Sequence, residues 1–235
     1  MTMIFTVDER LFDLFPGLAV GVLVCHIDNF RYGDDRLELI LDRIRSGFSY
    51  EKPQDHPHIK AWRLAFGKVG LSPAKYQSSI ESLLRRALKG GPFPRVNPIV
   101  DLYNAMSLEY LVPIGGHDLT PLDGSLFLGF AEGGEPFTPI DGGEPEMAEK
   151  GEVVYKDDKD VLTRRWVWRQ SNKDKVTPQT KSIFIPIDIM EGIDPSVCDQ
   201  VMEKITAQFT QHGNGTVIHR DVVTATHQTT ELQIG

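Results

Sequence analysis

The sequence is poor in cysteine, in basic charge and in long hydrophobic runs, and each shortage excludes a class of protein. Its 235 residues include two cysteines, Cys25 and Cys198, which are too few for a disulfide framework or a zinc cluster built on cysteine. No apolar run reaches the roughly eighteen residues of a membrane span, and the N-terminus lacks the basic and apolar regions of a secretion signal. We therefore expect a cytoplasmic protein without a membrane partner.

The shortage of basic charge limits the kind of nucleic-acid contact that the chain can make. The net charge is −8, whereas proteins that bind a long nucleic-acid backbone displace its counterions with Lys and Arg. A local contact with one nucleic-acid end is not excluded by this charge. The oligomeric state has no signature in the sequence.

Common catalytic signatures are missing as well. The sequence has no G-x-S-x-G, H-E-x-x-H, paired C-x-x-C or dinucleotide-binding fingerprint. We therefore expect no metal, no cofactor and no covalent nucleophile.

What is present indicates an α+β fold, with most helices first, then a strand-rich region, then one closing helix. Apolar residues at helical spacing predict helices at residues 34–48, 59–69, 97–110 and 194–213, and a further one that begins at Ser72-Pro73. β-rich runs predict strands at residues 17–27, 125–130, 152–157, 161–170, 182–189 and 216–223. We expect one domain over residues 1–235, with a helical region at 1–95, a strand-rich region at 96–190, and a helix and tail at 191–235 whose end is frayed or depends on a partner.

The first candidate site is the stretch PIGGHDLTPLDG, residues 113–124. Gly115 and Gly116 let a backbone pass close to a ligand or turn sharply, and His117 and Asp118 follow at once. A histidine with an ordinary pKa can carry a proton near neutral pH. The alternative is a tight turn that Asp118 caps.

The second candidate is PIDGGEPE, residues 139–146. Amides exposed at Gly142 and Gly143 can hold an anion or a developing oxyanion. Glu144 can receive a ligand ammonium or position a water, and Asp141 stands on the other side of the glycines. The alternative is a solvated acidic hairpin.

The third candidate is RRWVWRQSNK, residues 164–173. Strand alternation predicts that Arg164, Trp166, Trp168 and Gln170 share one face. Such a face suits a ligand with one flat group and one anionic group, since indole rings stack and a guanidinium binds carboxylate or phosphate. The alternative is packing of the tryptophans against helices, with the arginine stems over the edge.

In combination, these segments resemble the editing region, named B3/B4, of the β subunit of phenylalanyl-tRNA synthetase, and the free-standing proteins of that family. The synthetase motifs are P-M-H-A-F-D-L, G-E and T-L-D-G-x-E, and the free-standing proteins share the G-G-x-D variant and the R-R-W-x-W-R stretch. The matching positions are Asn97, 100–101, Asn104, 113–119, 134–135, 140–144, 153–157, 164–169 and 177–181.

The resemblance implies a domain that binds the aminoacylated 3′ end of tRNA and hydrolyses a wrongly attached amino acid. The resemblance maps the catalytic glutamate of the family onto Glu144, and the residues themselves add His117 as a second catalytic candidate. The residues that we expect to bind the ligand are Asn97, Gly115, Gly116, Asp118, Asp141, Gly142, Gly143, Arg164, Trp166 and Trp168.

One departure from the family pattern concerns the chemistry, because the family histidine aligns with Gly115 while His117 takes the place of a phenylalanine. Three functions therefore remain open. They are a deacylase that acts in trans, a non-catalytic module for an amino acid, an aminoacyl end or a related metabolite, and an interaction scaffold with a vestigial pocket.

Overall fold

The computed structural model describes residues 2–28, 30, 34–212 and 215–234. Its helices are α1 (Glu9–Leu14), α2 (Asp34–Gly47), α3 (Pro57–Lys68), α4 (Ser79–Lys89), α5 (Pro98–Tyr110) and α6 (Ser196–His212), with a short 3-10 turn at Pro53–Asp55. Its strands are β1 (Thr2–Val7), β2 (Ala19–Ile27), β3 (His117–Asp118), β4 (Leu126–Phe130), β5 (Pro136–Phe137), β6 (Glu146–Met147), β7 (Val153–Lys156), β8 (Val161–Arg164), β9 (Arg169–Gln170), β10 (Ser182–Ile189), β11 (Gly215–Val223) and β12 (Thr229–Gln233). The α+β prediction is confirmed.

Two sheets carry the fold. One has the order β12-β1-β4-β7-β8-β9, in which β1 and β4 run parallel and the other pairs are antiparallel. The other is antiparallel with the order β11-β2-β10-β3, and β5 pairs with β6 in a separate hairpin. Each sheet joins strands from distant parts of the sequence, so its strand order depends on tertiary contacts.

The two sheets pack against each other through aromatic side chains. Phe5 of β1 lies 5.0 Å from Phe184 of β10 and 6.2 Å from Tyr155 of β7, measured between ring centroids. All three side chains are buried. This aromatic layer positions β7 and β10 side by side, which matters for the site described below.

The prediction for residues 17–27 is confirmed by β2, which lies inside the four-stranded sheet and is buried at all but one position. Its Gly21 permits the approach of α6, since a Cβ at Gly21 would lie 2.5 Å from Sγ of Cys198. Both cysteines are buried free thiols. Packing against α6 and β10 therefore explains the run of small and β-branched residues in β2.

Helix α5 begins where the sequence predicts it. The Asn97 side chain accepts hydrogen bonds from the amides of Ile99 (3.1 Å) and Val100 (3.0 Å), as an N-cap does. Its amide nitrogen donates to the carbonyl of Val176 at 3.1 Å. Asn97 thus ties the start of the helix to a distant loop.

The predicted helix start at Ser72-Pro73 is wrong. Those residues lie in a turn, and α4 begins six residues later with Ser78 as its N-cap. Buried Glu81 fixes the first turn of α4, because it accepts hydrogen bonds from Arg63 at 2.9 Å and Arg85 at 2.7 Å. The S-x-x-E pattern of Ser78 and Glu81 is a local cap signal that the prediction overlooked, and the ion pair with α3 stabilises the start that it marks.

The prediction of one strand over residues 161–170 is also wrong. The stretch is a hairpin in which Arg165 (φ 48°) and Trp166 (φ 65°) adopt left-handed backbone conformations between β8 and β9. Such conformations are unfavourable for residues with a Cβ. The Trp166 ring is fully buried, 5.2 Å from the Trp62 ring and 5.5 Å from the Phe15 ring. Burial of this indole offsets the backbone strain.

The C-terminal tail is an ordered strand, so its predicted fraying is wrong. Strand β12 pairs with β1 from Thr229 to Gln233 and buries Leu232. Strand β11 and helix α6 confirm the other C-terminal predictions, while the predicted helix end at Gly213 lies outside the described residues. No helix within the described ranges is long and apolar enough to cross a membrane.

Candidate functional site

A cavity of about 400 Å³ opens where α4, α5, β7, β10 and the hairpin between β8 and β9 meet. This volume is in the range of small-ligand pockets. Its wall includes Tyr103, Gly115, His117, Trp168 and Asp188, so it combines aromatic surface with ionisable groups.

One wall is formed by residues 113–118, which run beside β10. The amide of Gly115 donates to the carbonyl of Pro186 at 3.3 Å, and the amide of Asp188 donates to the carbonyl of Pro113 at 3.1 Å. Gly116 is required sterically, because a Cβ there would lie 2.7 Å from Cε1 of Tyr103. This extended segment is therefore held along β10 by hydrogen bonds and against α5 by the contact of Gly116 with Tyr103.

His117 forms a hydrogen-bonded pair with Asp174. The contact joins Nδ1 of His117 to Oδ2 of Asp174, and both side chains are buried. A carboxylate at Nδ1 holds the proton on that nitrogen and leaves Nε2 as an acceptor. Nε2 lies 3.8 Å from the position that a Cβ on Gly115 would occupy. The imidazole thus reaches the space that the family histidine would enter from position 115.

Asp174 is itself oriented by neighbouring side chains. Ser171 donates from Oγ to Oδ1 at 2.5 Å, and Gln170 donates from Nε2 to Oδ2 at 3.4 Å and to the carbonyl of Gly116 at 2.7 Å. His117 with Asp174 to orient it, and with Ser171 and Gln170 to hold Asp174, has the arrangement of an activated general base. Sequence reasoning missed Asp174, because it lies 57 positions from His117 in a polar loop without any motif.

A second buried carboxylate, Asp188, lines the same cavity. Its Oδ1 accepts hydrogen bonds from the hydroxyl of Tyr155 at 2.8 Å and from Nε1 of Trp166 at 3.3 Å. Burial raises the pKa of Asp188 to about 6, although these hydrogen bonds and the nearby His117 favour the charged form. Asp188 was also missed, since its strand reads as a buried apolar run.

The acidic hairpin contributes less to the cavity than the sequence suggests. Ile140 lines the cavity, but Asp141, Gly142, Gly143 and Glu144 are exposed and lie outside its wall. The Asp141 carboxylate accepts a hydrogen bond from Arg169 at 2.7 Å, which lowers its pKa. Arg169 does line the cavity, so the hairpin is connected to the rim through this ion pair.

The backbone amides proposed for oxyanion binding are largely used within the protein. Those of Gly115 and Gly142 donate to the carbonyls of Pro186 and Pro139. The expectation that both glycine pairs present their amides to a ligand is therefore wrong for these two positions.

The hairpin between β8 and β9 separates the residues that were expected to share a face. Trp166, Trp168 and Gln170 all line the cavity, whereas Arg164 does not. Arg164 is buried and binds Glu152 through Nε at 2.9 Å. Burial alone would raise the pKa of Glu152, but the hydrogen bonds from Arg164 hold it below its ordinary value. Arg164 therefore stabilises the hairpin from behind.

Two further predicted binding residues have structural contacts away from the cavity wall. Asp118 accepts hydrogen bonds from Oγ1 of Thr180 at 2.6 Å and from the amide of Thr120 at 2.9 Å. Asn97 caps α5, as described above. Both residues position the elements that surround the cavity.

The only acidic cluster with metal-like spacing in the described ranges is Asp123, Asp157 and Asp160. The Nζ atom of Lys173 lies 2.8, 2.7 and 2.6 Å from these carboxylates. Burial alone would lower the pKa of Lys173, but the three carboxylates raise it. The ammonium group thus takes the place that a cation would need.

Comparison with known proteins assigns the family. The model of the B3/4 domain family matches residues 61–214, more than half of the chain. The chain belongs to the B3/4 domain family. The match includes α4, α5, β7, β10 and both members of the His117–Asp174 pair, so the whole cavity lies within the B3/4 region.

Curated relatives of this B3/4 protein are β subunits of phenylalanine–tRNA ligase. That of Fusobacterium nucleatum is 31% identical over 121 residues, which cover 52% of this chain and 15% of the relative. Those of two Vibrio vulnificus strains are 30% identical over 90 residues, which cover 38% of this chain and 11% of each relative. The alignments thus span well under a fifth of these subunits.

Among solved structures, an N-terminal fragment of the phenylalanyl-tRNA synthetase β subunit from Pyrococcus horikoshii is similar to the chain. It is 16% identical with a TM-score of 0.45, over 91% of this chain and 49% of the fragment.

Proposed function

We propose that this B3/4 protein binds the aminoacylated 3′ end of tRNA and hydrolyses the ester of a mischarged amino acid. The observation that carries the proposal is the buried His117–Asp174 pair on the wall of a cavity of small-molecule size. The kinship with phenylalanine–tRNA ligase β subunits supports a tRNA-related ligand.

His117 acts as the general base. Its Nε2 accepts a proton from a water molecule while the water oxygen bonds to the ester carbonyl carbon. The tetrahedral intermediate then collapses, the ester C–O bond breaks, and Nε2 returns the proton to the departing ribose oxygen. The products are a free amino acid and a tRNA with a free hydroxyl group. Asp174 keeps the imidazole in the required tautomer and stabilises its protonated form.

Other residues at the cavity bind the ligand or shape the space that it occupies. Trp168 is half-buried at the cavity and offers a stacking surface for adenine. Gly115 leaves room for the amino acid, and Arg169 supplies positive charge at the rim next to Asp141. Glu144 lies at the exposed end of the hairpin between β5 and β6, which also carries Asp141. It affects catalysis only by helping to position the rim of the cavity.

The test is ester hydrolysis with a panel of mischarged tRNAs, comparing the wild type with His117→Gln and with His26→Gln. His26 is an exposed histidine on β2 and does not line the cavity, so its variant controls for loss of an imidazole as such. Ester loss above buffer that falls at least about a hundredfold in His117→Gln alone supports the proposal. No ester loss from any charged tRNA, beside an active deacylase, overturns it.

A second candidate function is a non-catalytic module for an amino acid or aminoacyl end. The net charge of −8 favours it, since a tRNA body needs a basic surface. Binding of free amino acids or aminoacyl ends that raises the melting temperature, without hydrolysis of any ester, supports this candidate over the deacylase.

A further inference from the structure

Asp188 and Asp174 differ from the other buried carboxylates because their hydrogen-bond donors are neutral, but Asp174 already has a role in orienting His117. In contrast, Glu81, Asp101, Glu152 and Asp157 each form an ion pair with an arginine or a lysine. The ion pairs of the described residues do not include Asp188, whose hydrogen-bond donors are a phenol and an indole. A buried carboxylate is normally accompanied by a cation, because desolvation of the charge is otherwise unfavourable.

The backbone directs Asp188 into the cavity. In β10, alternate side chains point the same way, and Pro186 and Asp188 both line the cavity. The amide of Asp188 is held by the carbonyl of Pro113. The side chain is only 2% exposed, so it meets a ligand that enters the cavity rather than bulk solvent.

The two donors fix one oxygen of the carboxylate. Tyr155 and Trp166 both donate to Oδ1. Burial and the adjacent Asp188 charge raise the pKa of Tyr155, so its hydroxyl keeps the proton that it donates. Oδ1 is thus anchored in a rigid aromatic setting, and the group is held ready for a cationic partner.

We propose that Asp188 binds the primary ammonium group of an amino acid moiety in this cavity. The inference rests on the proposed function only in taking the amino acid moiety to be part of an aminoacyl ester. The requirement for a positively charged ligand group follows from Asp188 alone. It assigns specificity for a free amino group, so that N-acylated amino acids are rejected. His117 and Asp188 would then act on the two ends of one small group, the ester and the amine.

Burial of an unneutralised charge is consistent with a binding role. Burial disfavours the charged form of Asp188, which raises its pKa. An ammonium ion would relieve this cost on binding. Groups with this property on a cavity wall are common at functional sites.

The experiment measures binding of the twenty amino acid amides and of their N-acetyl counterparts by titration calorimetry at pH 7. Amides carry the same ammonium group as the esters but resist hydrolysis, so the result does not depend on turnover. The variant is Asp188→Asn, which keeps the oxygen that Tyr155 and Trp166 need. The control is Asp42→Asn, an exposed position on α2 away from the cavity.

We expect at least one amide to bind the wild type and the Asp42→Asn variant alike, and to bind Asp188→Asn roughly 10- to 100-fold more weakly. The N-acetyl compounds should bind weakly to all three proteins. Binding that is equal in wild type and Asp188→Asn overturns the inference, and so does the failure of every amide to bind the wild type. The two experiments are independent. Deacylation can be observed even if the amides do not bind as expected, and the amides can bind even if no deacylation is observed.

A pH series separates loss of charge from a general disturbance of the cavity. Affinity of the wild type for the amide should fall tenfold per pH unit below about pH 6, because Asp188 must then lose a proton to bind the cation. The Asp188→Asn variant should lack this fall. His117 is an ionisable group that also lies beside Tyr155, at 5.7 Å between ring centroids, so the series is repeated with His117→Gln. The fall should persist there at slightly higher pH, and its disappearance would assign the effect to His117 and contradict the inference.

Discussion

The molecule contains two glycine-glycine pairs that look alike in sequence and differ in the structure, the first in a segment extended along β10 and the second in a turn. Gly116, in the first pair, has no space for a side chain, because an added Cβ would lie 2.7 Å from Tyr103 and 2.9 Å from Ile183. Gly142, in the second turn, has open space around it and a positive φ of 79°. The first glycine serves close packing at a cavity wall, while the second serves only the turn itself. Similar motifs therefore do not imply similar proximity to a site.

The residues that follow each glycine pair provide the test of this comparison with the largest expected effect. His117 is buried on the cavity wall and Glu144 is exposed. We expect His117→Gln to slow ester hydrolysis by about 10²–10⁴-fold, as loss of a general base does, and Glu144→Gln to slow it less than about tenfold. Single-turnover rates with one mischarged tRNA measure both. A greater loss in Glu144→Gln would return the main catalytic role to the second turn.

A second test concerns Asp188, whose amide donates a hydrogen bond to the carbonyl of Pro113, just before the first glycine pair. Its folded-state pKa of about 6 lies above the ordinary value, so the native state binds more protons than the unfolded chain between about pH 4 and pH 6. The unfolding free energy of the wild type should therefore fall through this window as pH rises, relative to Asp188→Asn, by on the order of 3 kcal/mol. Urea denaturation of both proteins at pH 4 and pH 7 measures the difference. A constant difference would show that the charge of Asp188 is compensated.

The close packing around Gly116 in the first glycine pair gives a third prediction. Gly116→Ala should lower the unfolding free energy by about 1–3 kcal/mol, because the added methyl group meets Tyr103 and Ile183. Gly115→Ala is the matched control, since a Cβ there lies at ordinary contact distances of 3.8 and 3.9 Å. Urea denaturation of both variants is the measurement. Equal stability of the two would mean that the wall near Gly116 yields easily.

The smallest expected effect comes from the second turn. Gly142→Ala should lower the unfolding free energy by about 1 kcal/mol, the approximate strain of a left-handed residue with a Cβ. It should leave binding of the amino acid amides unchanged, since Gly142 does not line the cavity. Denaturation and calorimetry together check this. Weaker binding would show that the second turn closes over the ligand.

Much of the fold could be predicted from sequence, because the relevant signals are local. The Asn97 cap, the apolar stripe of α6 and the β-branched run of β2 each report a periodicity or a hydrogen bond within a few residues. The missed strand β12 depends on a distant partner, because it is polar on one face and becomes ordered through β1. The start of α4 was misplaced for a local reason, since the cap at Ser78 with Glu81 three residues later was passed over for Ser72-Pro73.

The candidate site shows the same division. Glycine turns with nearby ionisable residues marked His117, but they marked Glu144 equally. Asp174 and Asp188 have no motif and acquire meaning only from their contacts with His117, Tyr155 and Trp166. Spacing along the chain therefore identified one member of the group and missed two.

The sequence by itself determined the α+β class, the positions of most helices and of about half the strands that the structure describes, and the family to which the motifs are similar. The tertiary structure decided which of the motif residues meet. Periodicity records whether a side chain is buried, but not which remote side chain it contacts once buried. That depends on the pairing of strands far apart in the chain, which brings β10, the extended segment 113–118 and the Asp174 loop to one cavity.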